Sequence, residues 1–220
     1  MVQKEYIFRF LRDLRNNNSK EWMDEHRDRY HTAKSCWLAE IERFLALLGQ
    51  QHEPFAKVKP KSTISRINNN RRFHPDRPTY KDYFTFDLSE NDISILHVSV
   101  SPGNSFIGAG MHRPASENLK KFYQAIDYDG DKFKAILSEP QLKDFFGALT
   151  TSERDLKTAP QGFSQDHPHI EILRRKSITL MRELTEEKVC SDDFPTLVKD
   201  AYLMLRPFHK YLVRAINFEA

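Results

Sequence analysis

Arg66, Arg72 and Lys81 are the side chains best suited to chemistry in this chain of 220 residues. A guanidinium fork holds a phosphate or carboxylate through two parallel hydrogen bonds, and an ammonium adds a point charge. All three lie in residues 57–81, where Lys57, Lys59, Lys61, Arg66, Arg71, Arg72, Arg77 and Lys81 face a single acid, Asp76. That stretch carries a net +7 and leaves −4 for the rest of the chain. A local positive field on an otherwise acidic molecule points to an anionic partner. Tyr80 beside Lys81 adds a proton-transfer pair if burial lowers the lysine pKa. Arg113 and Lys157 are secondary anion ligands.

The same region feeds into a predicted hairpin, Ile93–Val100 and Ser105–His112, turning at Pro102-Gly103. Such a turn sets Val100, Val98 and Leu96 opposite Ser105, Ile107 and Ala109 as a core face. Ser99, His97, Ile95 and Ile93 then oppose Phe106, Gly108, Gly110 and His112 on the other face. Interior strand glycines mark a bulge or the close approach of a ligand or another backbone. Gly108 and Gly110 are therefore expected to floor a pocket, with His97 and His112 beside it as candidate proton carriers.

Other chemistries are poorly represented. Gly108-x-Gly110 lacks the third glycine and the strand-to-helix turn of a dinucleotide fingerprint. His167-x-His169 lacks the spacing of a zinc site, so no metal and no cofactor are expected. No nucleophile elbow is present. Asp166 beside His167 is more economically a helix cap than part of a catalytic dyad with Ser164. Cys36 and Cys190 are far apart and read as free thiols. The longest apolar runs are far short of the roughly 20 residues that span a bilayer, and the N-terminus lacks a signal-type apolar stretch, so a cytoplasmic protein is expected.

The elements that must position these residues follow from periodicity. Tyr6, Ile7, Phe10, Leu11 and Leu14 make a first helix, broken at Asn16-Asn17-Asn18, after which Ser19 caps a second. Its stripe, Trp22, His26, Tyr30, Ala33, Trp37, Ile41, Phe44, Leu45 and Leu48, predicts one helix of about 45 Å ending at Gly49. Strands are predicted at Thr63–Ile67 and Tyr83–Leu88 before the hairpin, and another at Ser177–Arg182. Three short helices follow Pro114, and a C-terminal helix from Phe194 meets Pro207, which kinks or breaks it. The order predicts a single α+β domain over 1–220, with a mostly antiparallel central sheet and helices from both chain ends and the 115–150 region packed around it.

Four stretches taken together carry a family resemblance: FLRDLRNNNSKEW, RINNNRRFHPDRPTYKDYF, SPGNSFIGAGMHRP and LKTAPQGFSQDHPHIEILRRKS. They run in order over nearly the whole chain and are similar to the domain of unknown function 2461 family of conserved hypothetical proteins, bacterial and fungal. The resemblance implies no activity, but it selects positions. A family segment resembling R-F-S-K-D-K-S-P-Y-K matches Arg72, Phe73, Pro78 or its neighbour, Tyr80 and Lys81. His74 and Thr79 stand where serine and proline are usual. A later segment resembling P-K-G-F-D-P-D-H-P matches Pro160, Gly162, Phe163, Asp166, His167 and Pro168. Gln161 replaces its basic residue, which argues for a structural loop rather than an anion site there.

Three functions remain. The leading one is binding of a small phosphate- or carboxylate-bearing ligand in a basic, glycine-floored pocket of Arg66, Arg72, Tyr80, Lys81, Gly108, Gly110 and Arg113. The second is nucleic-acid binding through residues 57–84, with Phe73, Tyr80, Tyr83 and Phe84 stacking on bases. The third is a protein-interaction module without chemistry, marked by an exposed apolar patch. Oligomeric state stays open.

Overall fold

The computed structural model describes residues 2–72 and 74–217. Among them are nine α-helices and a four-stranded antiparallel sheet of order β1-β2-β3-β4, an α+β architecture. The strands are β1 (Phe84–Glu90), β2 (Ile93–Val100), β3 (Ser105–Met111) and β4 (Ile178–Leu184). The chain forms two compact units. One comprises Met1–Asp87, Val98–Ile107 and Glu183–Asp200; the other comprises Leu88–His97, Gly108–Arg182 and Ala201–Ala220. No helix of the described residues is long and apolar enough to cross a membrane.

In the first unit, α1 (Val2–Asn16) buries Ile7, Phe8, Phe10, Leu11 and Leu14. Ser19 caps α2 (Lys20–Glu25), its side chain accepting from the Trp22 N–H at 3.1 Å. The predicted single long helix is broken at His26, which leaves helical backbone at φ −113 and ψ 23 before α3 (Arg27–Gln51) begins. The His26 ring stacks on Trp22 with centroids 4.3 Å apart, and its Nδ1 lies 2.8 Å from the Trp22 carbonyl, so the stripe survives while the backbone does not. Gly49 does not end the helix. An added Cβ there would lie 2.8 Å from the Cβ of Ala56 on α4 (Glu53–Ala56), so close helix packing explains this glycine. Trp37 donates its indole N–H to the Thr85 carbonyl at 2.9 Å, and Phe44 packs edge-on against Phe86 and Phe194.

One buried ion pair holds this unit. Lys4 Nζ lies 3.1 Å from Glu40 Oε1, both side chains 5% exposed, and Lys4 also donates to the Ser191 carbonyl at 2.5 Å. The Arg43 guanidinium holds the other Glu40 oxygen at 2.9 Å.

Thr63–Ile67 is not a strand. A 3₁₀ turn at Pro60–Ser62 delivers the chain beside β1, where Asp87 N–H donates to Thr63 O and the Thr85 hydroxyl accepts from Ser65 N–H, a side chain standing in for a ladder bond. Pairing resumes only as an isolated antiparallel bridge between Asn68 and Tyr80.

In the second unit, α5 (Ser116–Leu137) joins two of the predicted short helices across a kink at Asp129, φ −142 and ψ 39, followed by Gly130. The third is α6 (Pro140–Phe146). Next comes α7 (Ile170–Leu173), whose N-cap is His169; Asp166 lies upstream and exposed, so the predicted aspartate cap is replaced by a loop that folds back on itself. After α8 (Glu186–Cys190), which belongs to the first unit, α9 (Phe194–Ile216) continues through Pro207 instead of breaking there. Phe133 packs against Phe208 and Tyr211 of α9. The Tyr211 hydroxyl donates to the carbonyls of Ala125 and Asp129 at the α5 kink, 3.1 and 3.2 Å away. Burial, the Asp129 charge adding to it, pushes that phenol up to about 12.

Candidate functional site

The basic residues of the first unit sit on a strap whose base is built with care. Asn69 N–H donates to Thr79 O at 3.0 Å and Lys81 N–H to Ile67 O at 2.7 Å, which flank the Asn68–Tyr80 bridge. In antiparallel geometry Tyr80's own backbone groups then point away from that partner. Asn18 collects both: its Nδ2 donates to Tyr80 O at 2.9 Å and its Oδ1 accepts from Tyr80 N–H at 2.8 Å. The polar run that ends the first helix thus supplies the clamp for the strap.

The clamp is testable. Tyr80 is buried, so Asn18→Ala strands an N–H and a C=O and is expected to cost about 1–3 kcal/mol in denaturant unfolding. Backbone exchange across residues 69–81 should quicken in the same variant. Unchanged stability and exchange would show that the clamp does not hold the strap.

Above the base the side chains divide. Arg71 is consumed by structure, donating to the Pro75 carbonyl at 3.1 and 3.3 Å and to the Thr79 hydroxyl at 3.4 Å. Arg66, Arg72 and Arg77 are exposed. Lys81 is half-buried, its Nζ 5.8 Å from the Tyr83 ring centroid. Burial first, and then the Arg77 charge, push the Lys81 ammonium below its ordinary value. The neighbouring acid does not relieve it, because Asp82 is held by Arg15 at 2.5 Å while Arg15 also bonds the Ser101 hydroxyl at 3.0 Å. Of the four aromatics expected to stack on bases, Tyr80 and Phe84 are buried, Tyr83 is half-buried, and Phe73 lies outside the described residues.

Gly108, Gly110, Arg113, His97 and His112 belong to the second unit. The turn before β3 is centred on Pro102-Gly103, as the sequence suggests, with Asn104 N–H bonded to Ser101 O and Gly103 at φ +73. The glycine floor takes a different form. An added Cβ at Gly108 would meet the Leu180 carbonyl at 2.5 Å, and one at Gly110, whose φ is +120, would overlap the Ile178 carbonyl. Backbone of β4 fills the space reserved for a ligand. Arg113 turns the chain out of the sheet at φ +52, its N–H donating to the Ser177 hydroxyl at 3.0 Å.

His112 is exposed and His97 half-buried. Partial desolvation first, and then the charges of Arg113, Arg154 and His97, push the His112 imidazole below its ordinary value. The shift keeps the ring neutral but makes it a weaker proton acceptor than an ordinary imidazole, which weakens its candidacy as a proton carrier. Lys157 is exposed.

The loop over residues 160–169 forms a second cluster. His167 Nδ1 accepts from the His169 N–H at 3.0 Å, so its Nε2 carries the proton given to Asp127, 3.0 Å away. Phe163 packs edge-on against Tyr123. The His169 ring lies directly on Gly130, where any Cβ would overlap it, and its buried Nδ1 has no hydrogen-bond partner. Asp127 and Asp131, on either side of the α5 kink, face the two histidines. No sequence pattern brings Asp127 and Asp131 to these histidines, because the meeting depends on how α5 and the 160–169 loop pack. Among the described residues, no three His, Cys, Asp or Glu side chains converge to hold a metal ion.

Burial, with Lys134 adding to it against the opposing pull of Asp131, lowers the His169 pKa in the folded state. Its contribution to stability is therefore complete above the ordinary value near 6.5 and is lost as pH falls through the lowered one. His169→Phe keeps a ring over Gly130 without the titration. It should match the parent at pH 7.5 and show a shallower acid decline, read from melts between pH 7.5 and 4.5. Superimposable declines would exclude His169 as a source.

A family model described as conserved hypothetical protein (DUF2461) matches residues 6–211. No curated protein and no solved structure matches the chain.

Proposed function

We propose, from the premise that the chain belongs to the conserved hypothetical protein family DUF2461, that it binds a small phosphate- or carboxylate-bearing ligand on the strap of Arg66, Arg72 and Lys81. One observation carries this reading. Lys81 is partly desolvated and feels the like charge of Arg77, while the adjacent carboxylate, Asp82, is already engaged by Arg15. Such a site gains when an anion arrives, because the anion relieves like-charge repulsion as well as forming its own bonds.

A small anion is favoured over a nucleic acid because a single-strand groove needs exposed rings for the bases. Tyr80 on the strap and Phe84 at the start of β1 are spent on packing. A thermal-shift screen against sugar phosphates, nucleotides, carboxylates and short oligonucleotides tests the choice, repeated with Arg72→Ala and Lys81→Ala. Stabilisation of the parent by a small phosphate or carboxylate, absent in both variants, is the expected result. Stabilisation by oligonucleotides alone would move the function to nucleic acid, and equal shifts in all three proteins would remove it from the strap.

A further inference from the structure

Within the second unit, α5 and α9 enclose an open groove of about 330 Å³, lined by Lys132, Ile136, Pro207, Lys210, Tyr211 and Arg214. That volume lies in the range of about 300–1,000 Å³ typical of binding clefts. None of the lining residues is acidic. Three cations rim an apolar floor of Ile136, Pro207 and the Tyr211 ring, with Lys132, Lys210 and Arg214 all exposed. Arg206 continues the row, so Arg206, Lys210 and Arg214 stand at successive i, i+4 positions on one helix. Like charges at that spacing oppose each other and weaken the helix that carries them. Arg214 pairs with the Asp129 carboxylate at 3.5 Å.

The layout of charge decides what fits. A compact anion wants cations converging on a point. Here the α9 row runs from Arg206, just outside the groove, to Arg214 over eight residues, about 12 Å at the helical rise, and Lys132 of α5 adds to the rim beside the apolar floor. We infer that the α5–α9 groove docks an acidic amphipathic peptide segment of a partner protein. Its apolar side chains seat on Ile136, Pro207 and Tyr211, and its carboxylates meet Lys132, Lys210 and Arg214. This is the helix-in-groove mode of recognition with a charged rim. The inference is independent of the ligand assigned to the strap.

The test uses the full chain and a fluorescein-labelled 15-residue helical peptide with leucine on one face and glutamate on the other, read by anisotropy. Two control peptides replace every glutamate by glutamine or scramble the order at fixed composition. The acidic amphipathic peptide should bind, and both controls should bind at least about tenfold more weakly. Lys132→Glu/Lys210→Glu should lose at least about tenfold, and the milder Lys132→Gln/Lys210→Gln several-fold, whereas Arg66→Ala/Arg72→Ala should bind as the parent does. Parent-like binding by both groove variants would overturn the inference. So would equal binding of the scrambled peptide, or binding of phosphatidylserine vesicles or an oligonucleotide with no binding of the peptide.

Discussion

Gly110→Ala is expected to cost more than about 4 kcal/mol, the range reached only when a substitution breaks structure rather than trims a contact. Two effects coincide. The backbone at φ +120 is one that side-chain-bearing residues rarely adopt, and the new Cβ overlaps the Ile178 carbonyl. That carbonyl belongs to β4 and cannot swing aside as a flexible side chain would. Gly103 provides the control: it too has positive φ, +73, but nothing lies within 4 Å of its added Cβ. Gly103→Ala should cost only the left-handed backbone penalty of about 1–2 kcal/mol. Gly108→Ala should fall between, since its clash at 2.5 Å from the Leu180 carbonyl comes without a positive φ. Chemical denaturation of the three variants gives the order. Equal losses would mean that close approach of β4 is not what these glycines serve.

Lys4→Ala should cost about 3–5 kcal/mol, the usual loss when one member of a buried ion pair is removed. The Glu40 carboxylate, 5% exposed, would keep only Arg43, whose own side chain is half-exposed, and the Ser191 carbonyl would lose its donor. Lys4→Met/Glu40→Leu removes the buried charge as well as the bond and should recover most of the loss. A double-mutant cycle completed with Lys4→Met and Glu40→Leu measures the coupling directly. If Lys4→Ala unfolds within 1 kcal/mol of the parent, the pair is not what ties α1 to α3.

Much of the architecture could be read from local pattern. The β2 limits Ile93–Val100, the turn at Pro102-Gly103, the Ser19 cap and the strand after Ser177 all rest on alternation, turn residues or capping chemistry contained in a few consecutive residues. The family resemblance, drawn from four ordered segments, agrees with the family model over residues 6–211. Failures came where one residue answers to a distant neighbour. The stripe from Trp22 to Leu48 continues across His26 because stacking on Trp22 keeps the apolar register while the backbone breaks. Gly49 looked like a terminator because Ala56 was not known to pack on it. Thr63–Ile67 had strand-like residues, but its neighbour on β1 offers a hydroxyl in place of a ladder bond.

The candidate site was legible in part for the same reason. Charge density marks the strap in any reading of the sequence, yet nothing local reveals that Arg71 is spent on Pro75, that Arg15 takes Asp82, or that Asn18 clamps Tyr80. The two sheet glycines were correctly singled out as points of close approach, with the wrong occupant: β4 stands where a ligand was expected. His167-x-His169 was set aside as a metal site, and nothing local in the sequence showed that the His169 ring packs over Gly130.

The proposal that the strap binds an anion is tested most directly by calorimetric titration of inorganic phosphate and pyrophosphate into the parent, Arg66→Ala/Arg72→Ala/Lys81→Ala, and Lys59→Ala/Lys61→Ala, at two salt concentrations and at pH 7 and 9.5. The account predicts that at least one of these anions binds the parent and that the control pair changes its affinity little. The triple variant should bind at least about tenfold more weakly, a loss of about 1.4 kcal/mol. Affinity should also fall at the higher pH, as Lys81, its pKa already lowered, gives up its proton. Equal affinity in all three proteins, or no binding of either anion to the parent, would contradict it.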